Sequence, residues 1–344
     1  GATWTYKGPI WHVSTTGSDS TGDGSEGNPF ATIQQGIDAA SSGDTVSVAA
    51  GTYVENISYS GKNISVFGEN RETTIIDGDS SGTVVTFDGE DSDPILLSGF
   101  TITNGSNSYG GGINIVDGVD IELYDLLITG NTAGSSGGGM KIESSTGNLS
   151  DLTISDNEAV GGGGLSLTYS ELTLHDLYIH DNNGLNNSGG ASFGSSMIDM
   201  YNSVFRGNHA HYNGGGLHCG GEGYYNLTNI TITQNSTGYN NAGAASRGSA
   251  LLIKNGANVT VLNSIIWQNT DAVCQIKFEG NISSTLNMSY TDLNGGQDEI
   301  IWLDPNGETP WLDVDGVLNW GAGNIDADPL FCEPDSSNFN LSEN

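Results

Sequence analysis

Ile128-Thr-Gly-Asn131 returns as Ile154-Ser-Asp-Asn157, Ile179-His-Asp-Asn182, Phe205-Arg-Gly-Asn208, Ile232-Thr-Gln-Asn235 and Ile266-Trp-Gln-Asn269, at intervals of 26, 25, 26, 27 and 34 residues. Between these asparagines runs a second phrase, a glycine run followed by alternating residues. It reads Gly110-Gly-Gly-Ile-Asn-Ile115, Gly137-Gly-Gly-Met-Lys-Ile142, Gly162-Gly-Gly-Leu-Ser-Leu167, Gly189-Gly-Ala-Ser-Phe193 and Gly214-Gly-Gly-Leu-His-Cys219. Each unit holds short runs of period 2 and nothing of period 3.6 long enough for a helix. Two phrases in register over about 25 residues, all strand and turn, predict an all-β, right-handed parallel β-helix solenoid of about ten coils.

Stacking coils about 4.8 Å apart gives every column one side-chain environment, so inward columns must be apolar and close-fitting. Aligned units predict two such columns: Leu126, Leu152, Leu177, Val204, Ile230, Ile265, and beside it Ile128, Ile154, Ile179, Phe205, Ile232, Ile266. The repeated asparagine falls at a corner, where it tolerates left-handed backbone and can bond the coils above and below. Glycine supplies positive φ at the next corner.

Solenoids grow by adding coils, so 344 residues read as one elongated domain. We divide it into an entry segment over 1–43, regular coils over 44–270, and irregular coils with a cover over 271–344. Forty-one acidic against eight basic residues give a formal charge of −33, which repels nucleic acid and anionic membrane surfaces. Three cysteines allow at most one bridge, between Cys274 and Cys332 if Cys219 faces the core. No apolar run is long enough to span a bilayer. Pro29 to Ala40, with Phe30, Ile33 and Ile37 on one face, predicts an amphipathic helix that lids the first coil.

Three stretches carry a family resemblance. Trp11-His-Val-Ser-Thr-Thr-Gly-Ser-Asp19 through Pro29-Phe-Ala-Thr-Ile33, Ala39-Ala-Ser-Ser-Gly-Asp-Thr-Val46 and Ala50-Gly-Thr-Tyr53 resembles the entry segment of secreted bacterial right-handed parallel β-helix proteins, including pectate-lyase-like enzymes. Phe205-Arg-Gly-Asn208 and Gly189-Gly-Ala191 are similar to the short motifs of polymorphic outer-membrane protein repeats. Gly321-Ala-Gly-Asn-Ile-Asp-Ala-Asp-Pro-Leu-Phe331 resembles the closing coil of the same secreted group. The resemblance implies the fold, a secreted or cell-surface location, and further sequence beyond Asn344. It leaves activity open, because that group mixes lyases, glycosidases and adhesins.

Two constellations could carry chemistry. Asp156, Asp181, His180 and Arg206 fall together on the turn after the inner isoleucine, with Glu158, His209 and His211 nearby, and are the catalytic candidates; carboxylates one coil apart approach the roughly 5 Å of a retaining glycosidase pair. Asp125, Asp151 and Asp176 stack at another bend, where a cation, a raised pKa or backbone donors must relieve their repulsion. With Asp19, Asp23 and Glu26 of the entry loop they form the candidate metal set, for Ca²⁺. The ordinary role of such turn residues is hydrogen bonding to backbone. The eight basic residues, no two of which the alignment stacks on neighbouring coils, form no groove for a polyuronate. The leading expectation is therefore a structural or adhesive surface protein rather than an enzyme, binding glycans, other surface macromolecules or its own copies. The alternatives are a glycoside hydrolase on a neutral glycan and an extracellular filament subunit.

Overall fold

The computed structural model describes residues 8–88, 94–116, 118–238, 248–270, 274–280, 282–302, 316–333 and 338–341. It is a right-handed parallel β-solenoid. Its coils form a nineteen-stranded sheet, a ten-stranded sheet and a six-stranded sheet. The long sheet bends once per coil at a single left-handed residue, as at Asp125 within Asp120–Thr129 and Asp151 within Thr146–Ser155. The following coils place Asp176, Asn202, Asn229 and Asn263 at the same bend. Stacking continues past 270, through Ile276–Glu279, Thr285–Ser289 and Val317–Trp320. Among the described residues no helix is long and apolar enough to cross a membrane.

The repeated asparagines hold the coils together from inside. Asn131, Asn157, Asn182, Asn208 and Asn235 are at most 1 % exposed. The N–H of each donates to the Oδ1 of the next, at 3.0 to 3.1 Å, and its Nδ2 donates to that same oxygen. Nδ2 also reaches the carbonyl of Ile102, Ile128, Ile154, Ile179 or Phe205 in the coil before. Gln275 closes the row at Asn269 with two further bonds. The left-handed residue is the one before the asparagine, namely Gly130, Asp156, Asp181, Gly207, Gln234 or Gln268. The bonds to neighbouring coils are as expected, but the left-handed backbone is one residue earlier, because the amide is turned inside.

The ladder also explains the glycine runs. Gly137 supplies a φ of +68°, but the two glycines after it are there for space. A Cβ on Gly138 would lie 2.4 Å from the Gly163 carbonyl, and one on Gly139 2.9 Å from Asn157 Nδ2. The inward column from Ile128 to Ile266 is filled as read, and its neighbour slips at two places. The position facing Leu177 is Ser203 rather than Val204, since the Leu177 N–H donates to Ser203 Oγ at 3.1 Å. Ile265 shifts likewise, with Ser264 turned inward.

At the first coil the helix is shorter than expected, Ile33–Ala39. Pro29 and Phe30 are spent otherwise. Phe30 donates to the His12 carbonyl and accepts from Ser14, so residues 24–30 take up the free edge of strand Ile10–Val13. Thr32 caps the helix, and Glu55 receives the N–H groups of Ile33 and Gln34 at 2.8 and 3.0 Å. Asn182→Ala, which strands the buried Asn157 N–H and the Ile154 carbonyl, should cost at least about 3 kcal/mol in urea unfolding. Asn186→Ala on the exposed surface should change stability by less than about 0.5 kcal/mol.

Candidate active site

Outward residues of the long sheet alternate with the core residues just described. Strands Glu171–His175, Met197–Tyr201 and Tyr224–Thr228 pair in register, so Glu171, Met197 and Tyr224 form one row, and Thr173, Asp199 and Asn226 the next. With Thr146 and Asn148 these side chains line a shallow cleft of about 450 Å³. Met197 is 53 % and Tyr224 59 % exposed, offering apolar faces at its rim. Asn226 Nδ2 donates to Asp199 Oδ1 at 2.7 Å and fixes that carboxylate. Glu171 has no side-chain partner among the described residues. The two acids lie one coil and two residues apart, so their Cα atoms are roughly 8 Å from each other.

Glu122 stands at the edge of the cleft, where Asn148 Nδ2 donates to its Oε1 at 2.5 Å. Burial raises its pKa, with Asp120 adding to the rise and Asn148 and His175 opposing it. It stands three coils from Asp199, about 14 Å, too far to act on the same bond. The cleft was missed in the sequence because none of its side chains repeats. The signal available was Glu171 and Asp199 at outward positions of adjoining strands.

The expected catalytic patch is assembled in part. His180 Nδ1 lies 2.8 Å from Asp181 Oδ2, and its ring stacks on Tyr178 with centroids 4.1 Å apart. Arg206 follows His180 in register on the next coil, where its Nε donates to Gln234 Oε1 at 2.8 Å. Asp156 and Asp181 occupy the left-handed bend of successive coils. None of the four lines the cleft. Glu158 accepts from Asn183, and His209 meets Ser236 Oγ, both on the six-stranded sheet.

The candidate metal residues are dispersed and bonded within the protein. Asp19 accepts from the Ala31 and Thr32 N–H groups and the Thr32 hydroxyl, and Asp23 from Ser25. Glu26 is exposed beside them. Arg71 bridges Asp125 and Asp151 at 3.4 and 3.2 Å, and His175 meets Asp176 at 2.8 Å. Among the described residues no three His, Cys, Asp or Glu side chains converge as a metal-holding group.

Basic residues are less scattered than the alignment indicated. Lys254 and Lys277 fall on neighbouring strands of the ten-stranded sheet. Lys277 is nevertheless consumed by Glu279 at 2.6 Å and Asn213 at 3.1 Å. Lys141 is likewise paired with Glu143 and lies over the Tyr109 ring. Lys7 and Arg247, together with Trp311, Asp304, Asp313 and Asp315 of the expected cover, lie outside the described residues, as does the side chain of Cys332.

No family model matches the chain, and no curated protein sequence does. Among solved structures it aligns with XylC in complex with xylose at 10 % identity, over 94 % of this chain and 87 % of that one, with a TM-score of 0.49. It aligns with the pectate lyase Pel9A at 14 % identity, over 97 % and 89 %, at 0.46. With pectin methylesterase PemA from Erwinia chrysanthemi the figures are 14 %, 95 % and 91 %, and 0.35. At such identities the likeness is one of fold. Most of the solenoids found beside this chain nevertheless carry the names of carbohydrate-related enzymes, a rhamnogalacturonan lyase and a mannuronan C-5 epimerase module among them, while one is named only as a viral open reading frame. The structural or adhesive role and the reading as a non-enzyme are corrected on that finding. They rested on charge and repeat regularity, which bear on solubility and fold rather than on chemistry.

One histidine of the ten-stranded sheet, half-buried as a whole but with its Nε2 shut off from solvent, is shifted from its ordinary range. His218 Nδ1 lies 3.1 Å from Ser192 Oγ, while its Nε2 is buried without a partner. Burial, reinforced by Lys254, pushes the imidazole down to about 3. The unfolded chain takes up this proton near the ordinary 6.5 and the folded one does not. Stability from His218 is therefore complete above about pH 6.5 and is lost as pH falls toward 3, by up to about 1.4 kcal/mol per pH unit. Between pH 6 and 4, His218→Gln should lose less stability than the parent by about that slope, and parallel urea-unfolding curves would refute a neutral buried ring.

Proposed function

We propose that this chain is a glycoside hydrolase acting on an uncharged polysaccharide, with Glu171 as proton donor and Asp199 as general base. The observation that carries this is the Glu171 and Asp199 pair on adjoining strands of one cleft, lined beside them by the amides of Asn148 and Asn226 and the hydroxyls of Thr146 and Thr173. Cα atoms roughly 8 Å apart let the two carboxyl groups stand at the roughly 6.5–9.5 Å of an inverting pair, with room for a water between carboxylate and sugar. Glu171, with no side-chain partner among the described residues, can turn to the glycosidic oxygen and protonate it as the C–O bond breaks. Asp199, held by Asn226, takes a proton from the water that attacks the anomeric carbon from the opposite face. Exchange through solvent then returns a proton to Glu171 and removes one from Asp199.

Thr173, Asn148 and Asn226 suit sugar hydroxyls, and the exposed faces of Tyr224 and Met197 suit a pyranose ring. A polyuronate would meet Asp120, Glu122, Glu171 and Asp199 on the same strands with no free basic partner in the cleft, so anionic chains are disfavoured. A polymeric substrate places the protein outside the cell or on its surface. Ca²⁺ has no built site in this scheme and would act by screening the −33 charge.

The test is reducing-end release from xylan, glucan and mannan beside pectate and alginate. Glu171→Gln and Asp199→Asn should each lower kcat by about 10²- to 10⁴-fold, and proton NMR should show inversion at the anomeric carbon. Lys141→Ala should act like the parent. Unsaturated products from a polyuronate would overturn the reading. Loss of activity in Asp181→Asn but not in Asp199→Asn would move the site to the His180 patch.

A further inference from the structure

Beyond the cleft, toward the C-terminal coils, the face of the long sheet changes character. Tyr224–Thr228, Asn258–Leu262, Thr285–Ser289 and Val317–Trp320 contain no Asp, Glu, Lys or Arg, in a chain with forty-one acidic and eight basic residues. Their outward middle row is Asn226, Thr260, Asn287 and Asn319, one hydroxyl or amide per coil, in direct continuation of Asp199. Asn319 Nδ2 donates to Asn287 Oδ1 at 2.7 Å, and Asn287 Nδ2 to Asn258 Oδ1 at 3.3 Å. Each such bond uses one of two amide hydrogens and one of two lone pairs, so the row keeps donors and acceptors facing out. In the other direction the face is closed. Strand Ile95–Thr103 is buried on both sides, with Leu96 and Ser98, its outward residues, 3 % and 5 % exposed.

We propose that this charge-free row is an extended binding track for a long, uncharged, β-1,4-linked glycan laid parallel to the solenoid axis. The proposal rests on the hydrolase reading and names its substrate class. Coils repeat at about 4.8 Å, close to the length of one pyranose in an extended chain, so Asn226 to Asn319 span roughly 14 Å, enough for about three sugars. The charge-free part of the face lies past Asp199 only, while Asp120 and Glu122 stand on the other side of the acids, so most of the chain lies toward the C-terminal coils. A face open along its length admits an internal stretch of polymer, so cleavage is endo-acting. Hydroxyls are met by amides that carry no charge, and both a polyanion and a polycation gain nothing from such a face.

The experiment uses the whole chain with Glu171→Gln to block turnover, titrated calorimetrically with xylo-, cello- and manno-oligosaccharides of two to six units. In at least one series affinity should rise with each unit to about the fifth. Asn287→Asp and, separately, the more exposed Asn319→Asp should weaken the hexamer about tenfold or more, leaving the dimer and the melting temperature unchanged. Affinity indifferent to length, hexamer binding unchanged in both variants, or no binding in any series would overturn the track. Length-dependent binding with no hydrolysis by the parent chain would retain the track and sink the hydrolase, whereas hydrolysis without length dependence would do the reverse.

Discussion

Everything in this molecule is subordinate to one buried hydrogen-bond chain, the row of asparagines from Asn131 to Asn269. A primary amide in an apolar interior is costly unless all its groups are paired. Here each side chain meets the backbone of the coil before it, while its oxygen takes an N–H from the same coil. Satisfaction is possible only if successive coils superpose closely. That condition excludes a Cβ on the glycines facing the row and requires a left-handed residue ahead of each asparagine. The 34-residue interval before Asn269 shows the order of priority, since the extra residues are accommodated between Asn235 and Asn269 while the bond between them stays at 3.0 Å.

Such a constraint is what made the fold legible. The ladder repeats because the environment repeats, and repetition can be read from a single sequence. Where legibility failed, it failed by one residue. Val204 and Ile265 are apolar and sit where an inward residue was due, yet Ser203 and Ser264 turn inward because each hydroxyl answers a neighbouring N–H. Apolarity alone could not rank the two positions. The asparagine's bonds to neighbouring coils were legible from its side chain, while the left-handed φ expected of it falls on the residue before.

The outer surface obeys no such rule. Asp156, Asp181, His180 and Arg206 drew attention by residue type, and the structure does gather His180 and Asp181. Those two are bonded to one another and Arg206 to Gln234 at the adjoining bend, and none of the four lines the cleft. Glu171 and Asp199 carry no motif, and only the registers Glu171 with Met197 and Thr173 with Asp199 bring them to one cleft. Net charge misled in the same way. A sum of −33 says nothing of where charge is missing, and the four coils from Tyr224 to Trp320 lack it altogether on the face where it would matter.

The two levels are nonetheless linked, because the inner ladder fixes the distances available outside. On a stacked parallel sheet, a pair of outward side chains on adjoining coils can be directly opposed, at about 4.8 Å, or displaced by two residues, at roughly 8 Å, with nothing between. Between Cα atoms, the first spacing suits carboxyl groups held as close as a nucleophile pair, and the second suits carboxyl groups that leave room for a water. Glu171 faces Met197, and the second acid comes two residues later at Asp199. The separation therefore follows from register, and register from the buried amides that hold Asn157, Asn182 and Asn208 in line. A solenoid of this kind can change its chemistry by substituting outward residues one at a time, while the spacing they work at is set by groups that never touch solvent.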